Sequence, residues 1–301
     1  MRVLELSGGV GGARMARGLA AVPGVELTVL VNVGDDEVVH GLHVSPDIDT
    51  VTYTLAHVEG SEGWGRAGDS FAVNTELARF GVDNRFRVGD LDLALNLYRT
   101  TCLAEGLSLS EATARVVRGF GLSTTVLPAT DDRLRTMVLL ESGWTSFQDY
   151  FVLRGNRDEV LELRYDGSEG CTPAPGAISA IESADHVVIA PSNPPLSIWP
   201  ILAVPGIREA ITEHGRVTAV SPLIGGKALK GPADRVMRAL GLPSGNQGVV
   251  AAYEGLIDTI VIDSQDAGDA GMIEDVDVMV AGTRIGGLEE ARRLAHELLS
   301  R

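Results

Sequence analysis

Apolar residues recur along this chain in two rhythms. Short, almost continuous apolar runs at Val3, Leu4 and Leu6, then Leu27–Val31, His186–Ala190, Val217–Val220, Thr259–Asp263 and Val276–Val280, predict strands covered on both faces, the habit of a parallel sheet. Elsewhere the apolar positions fall at helical spacing. Helices are predicted over Ala13–Val22, over Val51–Ala56 behind a Ser45 cap with Pro46 in first position, and from Asp69 or Ser70 to Phe80, where Gly81 stops it. Others run over about Asp90–Ala104, with Asp90 and Asp92 as cap and first-turn residues, from Ser108 or Ser110 to Gly119, over Pro232–Leu240 and Val249–Gly255, and over an amphipathic Leu288–Leu299.

The middle of the chain departs from the strand–helix alternation. Thr124–Leu127, Thr136–Leu140, Tyr150–Leu153 and Val160–Leu163 are strand-like runs joined by polar loops, which predicts antiparallel hairpins. No repeat or linker divides the sequence. The expectation is one Rossmann-like α/β domain over 1–301: a mostly parallel sheet with helices on both faces, a mainly helical substrate-binding insertion at about 45–120, and a small antiparallel hairpin region.

The densest chemical signal is SGGVGGAR at the first strand's end, where Gly8, Gly9, Gly11 and Gly12 precede a helix. A strand feeding a helix through glycines aims backbone N–H groups and the positive end of the helix dipole at one spot, which suits a phosphate. The alternative is a tight turn without a ligand. The dinucleotide fingerprint, read from Gly9, fails at Arg14, and no Walker A lysine follows.

Other strand ends carry matching chemistry. Leu27–Val31 runs into Asn32-Val33-Gly34-Asp35-Asp36, and ligands of open α/β sheets sit beyond such ends. Two acids beside a phosphate repel it unless a divalent cation intervenes, so Asp35 and Asp36 suggest Mg²⁺; the alternative is a solvated turn. Asp47 and Asp49 follow in or beside a first helical turn and are candidates to touch substrate or metal. Ser192 and Asn193 after the third predicted parallel strand offer uncharged hydrogen-bonding groups for phosphate, ribose or base, or serve the turn alone. Gly225, Gly226, Lys227 and Lys230 form a second glycine-rich loop with two cations. Arg87 is placed to reach an anionic or carbonyl group.

Composition narrows the classes. A net charge of −16 over 301 residues excludes a typical nucleic-acid binder. Cys102 and Cys171 have neither metal-ligand spacing nor a disulfide framework, MRVLEL is no signal peptide, and no apolar run reaches membrane-spanning length. A cytoplasmic protein without membrane or nucleic-acid partners is expected. His40, His43, His57, His186, His214 and His296 lack motif context, and no Cys or Ser–His nucleophile is evident. That poverty suits phosphoryl or phosphodiester transfer, which needs positioning and charge neutralisation more than covalent chemistry.

SGGVGGAR, VNVGDD, SPDIDTVTYTL, FRVGDLDLA, LPATDD, FQDYFVL, APSNPPLSIWPIL, SPLIGGKALKGPADRVM and IDSQDAGD, in this order over residues 3 to about 270, together resemble the 2-phospho-L-lactate transferases. Their actinobacterial members are phosphoenolpyruvate transferases. The resemblance implies transfer of a phosphoenolpyruvyl or 2-phospholactyl group from a guanosine diphosphate conjugate to the terminal ribityl hydroxyl of 7,8-didemethyl-8-hydroxy-5-deazariboflavin, with release of GMP, in coenzyme F-420 biosynthesis. It implies a Mg²⁺ requirement, a Gly8–Gly12 cradle for the donor diphosphate, Mg²⁺ on Asp35 (with Asp36, Asp47 or Asp49 beside it), and deazaflavin contacts at Asp49 and Arg87. Asp49 or Asp47 would orient or deprotonate the hydroxyl. Ser192, Asn193, Gly225, Gly226 and Lys227 would serve the guanosine phosphate. Asp90-Leu-Asp92 departs from the family's Asp-Arg-Asp, which removes a cation at that point. The flavour of the motifs favours enolpyruvate, and a homodimer stays open. The competing readings are a UDP-sugar-binding regulator of the gluconeogenesis-factor family, against which SPDIDT and GDLD count, and, more distantly, a nicotinamide dehydrogenase.

Overall fold

Seven parallel strands form the centre of the computed structural model, which describes residues 1–229 and 231–300: β1 (Arg2–Ser7), β2 (Glu26–Val31), β3 (Thr125–Pro128), β4 (His186–Ile189), β5 (Val217–Val220), β6 (Thr259–Asp263) and β7 (Asp277–Ala281). Their spatial order is β3-β2-β1-β4-β5-β6-β7, so the winding direction reverses between β1 and β4. That reversal opens the crevice in which such sheets bind ligands. β1 pairs with β2 from Arg2↔Glu26 to Ser7↔Val31 and with β4 from Val3↔His186 to Leu6↔Ile189, which brings the ends of all three strands to one rim. The buried runs Val3–Leu6, Val29–Val31, Val187–Ile189 and Ile260–Ile262 are fully enclosed, as the unbroken apolar pattern requires. Among the described residues no helix is long and apolar enough to cross a membrane.

Helix α1 (Gly9–Ala20) starts four residues earlier than the expected Ala13. The glycine stretch is therefore helix rather than loop, and Gly11 and Gly12 lie in its first turn. Further along, Gly18 lets α1 lie against the C-terminal helix Leu288–Leu299: a Cβ there would sit 2.4 Å from the Ala291 carbonyl oxygen. The expected hairpin strand at Thr124–Leu127 is instead the edge strand β3, parallel to β2. Pro128, paired with Val31, is tolerated because an edge needs no N–H on its open side. Tyr150–Leu153 is no strand. It lies in one wide helical turn, Asp149–Leu153, which stacks Phe147 on Phe151 at 5.3 Å and buries Tyr150 beside Val138, Leu140 and Leu196. A four-residue apolar run carries too little periodicity to separate the two forms. The antiparallel region itself is real, with Arg135–Leu140 between Gly143–Ser146 and Glu162–Asp166.

Between β2 and β3 the chain makes a small hairpin (Glu37–Val39 with Leu42–Val44) and four helices: α2 (Pro46–Leu55), α3 (Ala72–Arg79), α4 (Asp90–Ala104) and α5 (Leu109–Gly119). The caps of α3 and α4 are exchanged. Asp69, expected before α3, accepts from Leu91 and Asp92 of α4, while Asp90, expected to cap α4, accepts from Ala72 and Val73 of α3 at 3.0 Å each. Two helix N-termini thus share two carboxylates, and this locks the helices together. Ser45 stands at the α2 N-cap but spends its hydroxyl on Asp36 (2.7 Å) rather than on the helix, while Pro46 takes first position as expected.

One residue of the central strand works against the fold. Glu5, between Val29 and Val188 in register, is 0% exposed, and among the described residues neither of its carboxyl oxygens has a hydrogen-bond partner. Burial pushes its pKa well above the usual carboxylate range, so the fold holds it neutral. A raised folded pKa gives stability that is complete below the unfolded value and lost as pH rises towards the folded one. Glu5→Gln should therefore match the wild type near pH 4.5 and exceed it increasingly as pH rises, by about 1.4 kcal/mol for each pH unit up to the folded pKa. Urea denaturation across that range measures it, and a pH-independent difference contradicts it.

Candidate functional site

The rim of the sheet at the β1 end is built from backbone. Gly8 occupies the N-cap of α1 and has no side chain to bond the first-turn N–H groups; beyond that of Gly9, which Asp47 takes, these groups and the helix dipole suit an anion. Gly9 takes φ +66° and has nothing within 4 Å of the position a Cβ would occupy, so its face is open. The other glycines of the stretch are packed. A Cβ on Gly8 would meet Ser197 Cβ at 2.7 Å, one on Gly11 the Pro191 carbonyl oxygen at 2.3 Å, and one on Gly12 the Ser7 hydroxyl at 2.3 Å.

Four buried carboxylates lie beside this helix start. Asp47, on the first turn of α2, accepts the Gly9 N–H at 2.8 Å through Oδ1 and the Asn32 amide at 2.9 Å through Oδ2. Asn32, fully buried at the end of β2, also accepts the Gly34 N–H at 2.8 Å and so shapes the turn that presents Asp35 and Asp36. Asp36 accepts from Ser45 and from His43 Nε2 (2.9 Å). Asp35 is held from behind, its carbonyl accepting from Gln148 at 2.8 Å. Burial, with Asp47 and Asp36 as like charges, pushes the Asp35 carboxyl well above its usual range. Burial likewise raises Asp47 to about 6, against the pull of its two hydrogen bonds. Asp49 is raised to about 6 by burial, although Arg99, bonded to both of its oxygens, draws it down.

Asp35 Oδ1 and Asp36 Oδ1 are buried and have no hydrogen-bond partner among the described residues. Hard oxygen donors of this kind are what Mg²⁺ takes. Among the described residues no group of three or more His, Cys, Asp or Glu is placed to hold a metal alone. Mg²⁺ commonly accepts one or two carboxylates and completes its shell with water and phosphate oxygens, so this pair fits an ion that shares a diphosphate.

Two further features border the crevice. Ser192 turns its hydroxyl onto the Gly8 carbonyl (2.7 Å), and Asn193 Oδ1 accepts from Leu196, which caps the turn Pro194–Ile198. Gly225 and Gly226, at φ +62° and +72°, form the two-residue turn of the hairpin Leu223–Ile224 with Lys227–Ala228. Beside that turn is a cleft of about 480 Å³ lined by Gly225, Gly226, Gly245, Gln265, Asp266 and Asp269. Asp266 accepts the Gly225 N–H at 3.0 Å. Asp269 accepts from Asn246 at 2.9 Å, and Asn246 in turn accepts from Ser221 at 2.6 Å. Lys227 is exposed, and Lys230 lies outside the described residues.

The structure thus brings Gly8, Gly9, Asp35, Asp36 and Asp47 together, with Asp49 two residues further along α2. Arg87 is exposed and stacks 4.1 Å over the Phe71 ring; among the described residues it forms no hydrogen bond to the aspartates. Arg14, the residue that breaks the dinucleotide fingerprint, bonds the Ile285 carbonyl at 2.9 Å. Sequence reasoning missed Asn32, Arg99, Gln148 and Asp266. Arg99 had a readable signal, since it occupies the buried α4 stripe Leu95–Asn96–Arg99–Cys102.

With this geometry in view, comparison with known proteins is specific. The sequence profile of the family described as 2-phospho-L-lactate transferase CofD matches residues 3–281. A 2-phospho-L-lactate transferase of Methanopyrus kandleri is 40% identical over 99% of this chain and 97% of its own length. A phosphoenolpyruvate transferase of Streptomyces griseus is 42% identical over 94% and 91% respectively. Among solved structures, a UPF0052 family protein of Bacillus halodurans superposes with a TM-score of 0.64 at 18% identity, covering 99% of both chains, which shows a shared fold.

Proposed function

Because this chain belongs to the 2-phospho-L-lactate transferase CofD family, whose members act in coenzyme F-420 biosynthesis, we propose that it moves a phosphoenolpyruvyl or 2-phospholactyl group from a guanosine diphosphate conjugate to the ribityl hydroxyl of the deazaflavin precursor. One observation carries the mechanism: Asp47 ties the start of α1 to a turn that holds two carboxylate oxygens with no partner among the described residues. Among these residues a diphosphate finds backbone N–H groups on one side and a place for a cation on the other.

The first turn of α1 binds and orients the donor diphosphate. The cleft at Gly225, Asp266 and Asp269 receives the nucleoside, since it lies beyond the ends of β5 and β6 on the far side of the crevice from the insertion. Asp35 and Asp36 hold Mg²⁺, which when bound supplies neutralising charge to the diphosphate. The acceptor enters from the insertion side, with Asp49 and Arg87 as its contacts. Its hydroxyl oxygen forms a bond to the distal phosphorus while the bond from that phosphorus to the GMP oxygen breaks. Asp47 or Asp49 takes the hydroxyl proton, and a carboxylate raised to about 6 remains ionised and suitably basic at neutral pH.

The UDP-sugar regulator reading is not favoured: the close sequence relatives are transferases, and the UPF0052 likeness reaches the fold alone. Incubation with the deazaflavin precursor, Mg²⁺ and guanosine conjugates of lactate, enolpyruvate and glycerate, read by mass spectrometry, tests the proposal. One equivalent of GMP per coupled product is expected. Failure of every conjugate, with tight binding of UDP-N-acetylglucosamine, would overturn it.

A further inference from the structure

Arg99 is the largest fully buried side chain among the described residues, at 0% exposure. It lies on the buried face of α4 and reaches across the insertion to α2. Both nitrogens of its fork engage the two oxygens of Asp49, and Nη1 also donates to Asn96 Oδ1 at 2.7 Å and to the His43 carbonyl at 3.3 Å. His43 in turn bonds Asp36 through its ring. A single guanidinium therefore spans the insertion helix, the aspartate of α2 and the strand that buttresses Asp36.

Stability is a poor reason for an arginine here. Burying a guanidinium and a carboxylate costs several kcal/mol per ion, and an apolar pair of the same volume is often as stable or more so. The pair does something an apolar contact does not. Asp36 and Asp92 both bear on Asp49 as like charges, and Arg99 opposes them. A bidentate fork also fixes the plane of the carboxylate, which a lysine would not.

We propose that Arg99 is a positioning residue for the acceptor, holding the Asp49 carboxylate in one orientation and coupling α2 to α4 within the insertion. This rests on the reading of Asp49 as an acceptor contact. Arg99 has no direct access to substrate, so its effect falls on acceptor affinity and leaves the donor side largely untouched.

The test measures deazaflavin binding by fluorescence and GDP binding by calorimetry in wild type, Arg99→Lys, Arg99→Gln and the double variant Asp49→Asn/Arg99→Gln, with circular dichroism as the folding control. Arg99→Gln should weaken acceptor binding at least tenfold and change GDP binding less than twofold. Arg99→Lys, which reaches one oxygen, should lose three- to fivefold. The double variant keeps a hydrogen-bonded neutral pair, and should fold yet bind acceptor as poorly as Arg99→Gln. A folded Arg99→Gln with wild-type acceptor affinity, or equal losses for both ligands, overturns the proposal. If Arg99→Gln does not fold, the same split is required of Arg99→Lys. A wild-type protein that binds GDP but no deazaflavin removes the parent reading and this inference with it.

Discussion

Asp35→Asn should lower product formation by at least about 10³-fold, roughly 4 kcal/mol of transition-state stabilisation, while leaving the protein no less stable. The two halves of this expectation share one cause. Asp35 is buried, its Oδ1 has no partner among the described residues, and Asp47 and Asp36 stand beside it as like charges. Without a cation, an ionised carboxylate there opposes folding; with one, it supplies a ligand that an amide cannot match in charge. Asn keeps the shape and discards the charge, so in chelator the thermal midpoint should equal or exceed that of the wild type. Turnover with saturating Mg²⁺, set beside the midpoint in EDTA, separates this from simple damage. Near-normal turnover would remove Asp35 from the metal site, and a marked fall in the midpoint would mean that its charge is satisfied in the free protein.

The sheet was legible because its strands are buried on both faces. Six of the seven parallel strands emerge from apolar runs: four are bounded to within a residue or two, and Val217–Val220 and Thr259–Asp263 match in full. What failed had little periodicity to read. Thr125–Pro128 and Tyr150–Leu153 are short apolar stretches whose partners lie far away in sequence, at β2 and at Leu196. The caps of α3 and α4 failed for a different reason. Local rules assign a cap to the nearest acid, but Asp69 and Asp90 serve each other's helices once these pack, and no single-helix pattern contains that exchange.

The site was legible in its residue types and less so in their partners. Glycine and aspartate at strand ends mark the rim, and the structure gathers Gly8, Gly9, Asp35, Asp36 and Asp47 there. The residues that orient them are Asn32 at the end of a strand, Gln148 from the hairpin region and Arg99 from the middle of a helix. Each acts across more than ten positions of sequence, on a group that chemistry alone would have singled out. The glycines also turned out to divide in purpose. Gly225 and Gly226 make a hairpin turn, Gly9 is open, and Gly11 and Gly12 are pressed against protein.

That division makes Gly11→Ala a second decisive variant. In an ordinary helix, replacing glycine with alanine stabilises by roughly 1 kcal/mol. Here the added Cβ would lie 2.3 Å from the Pro191 carbonyl oxygen and 3.3 Å from its carbon. These are backbone atoms of the turn that carries Ser192, whose hydroxyl braces the Gly8 carbonyl at 2.7 Å. Relief demands that the turn move away from α1, which displaces Ser192 and loosens Gly8. Overpacking of this kind typically costs about 1–3 kcal/mol, so the expected sign is reversed: Gly11→Ala should be less stable than the wild type by that amount in urea, and should bind GDP at least tenfold more weakly. Gly9→Ala is the control. Its Cβ would meet no protein atom within 4 Å, but Gly9 sits at φ +66° on the open face of the crevice, so it should lose donor affinity with a stability cost near 1 kcal/mol. If Gly11→Ala proves as stable as the wild type, α1 is not held against the Pro191 turn as tightly as this contact requires. If it is destabilised while GDP binding is unchanged, the Gly8 bracing by Ser192 does not shape the donor site.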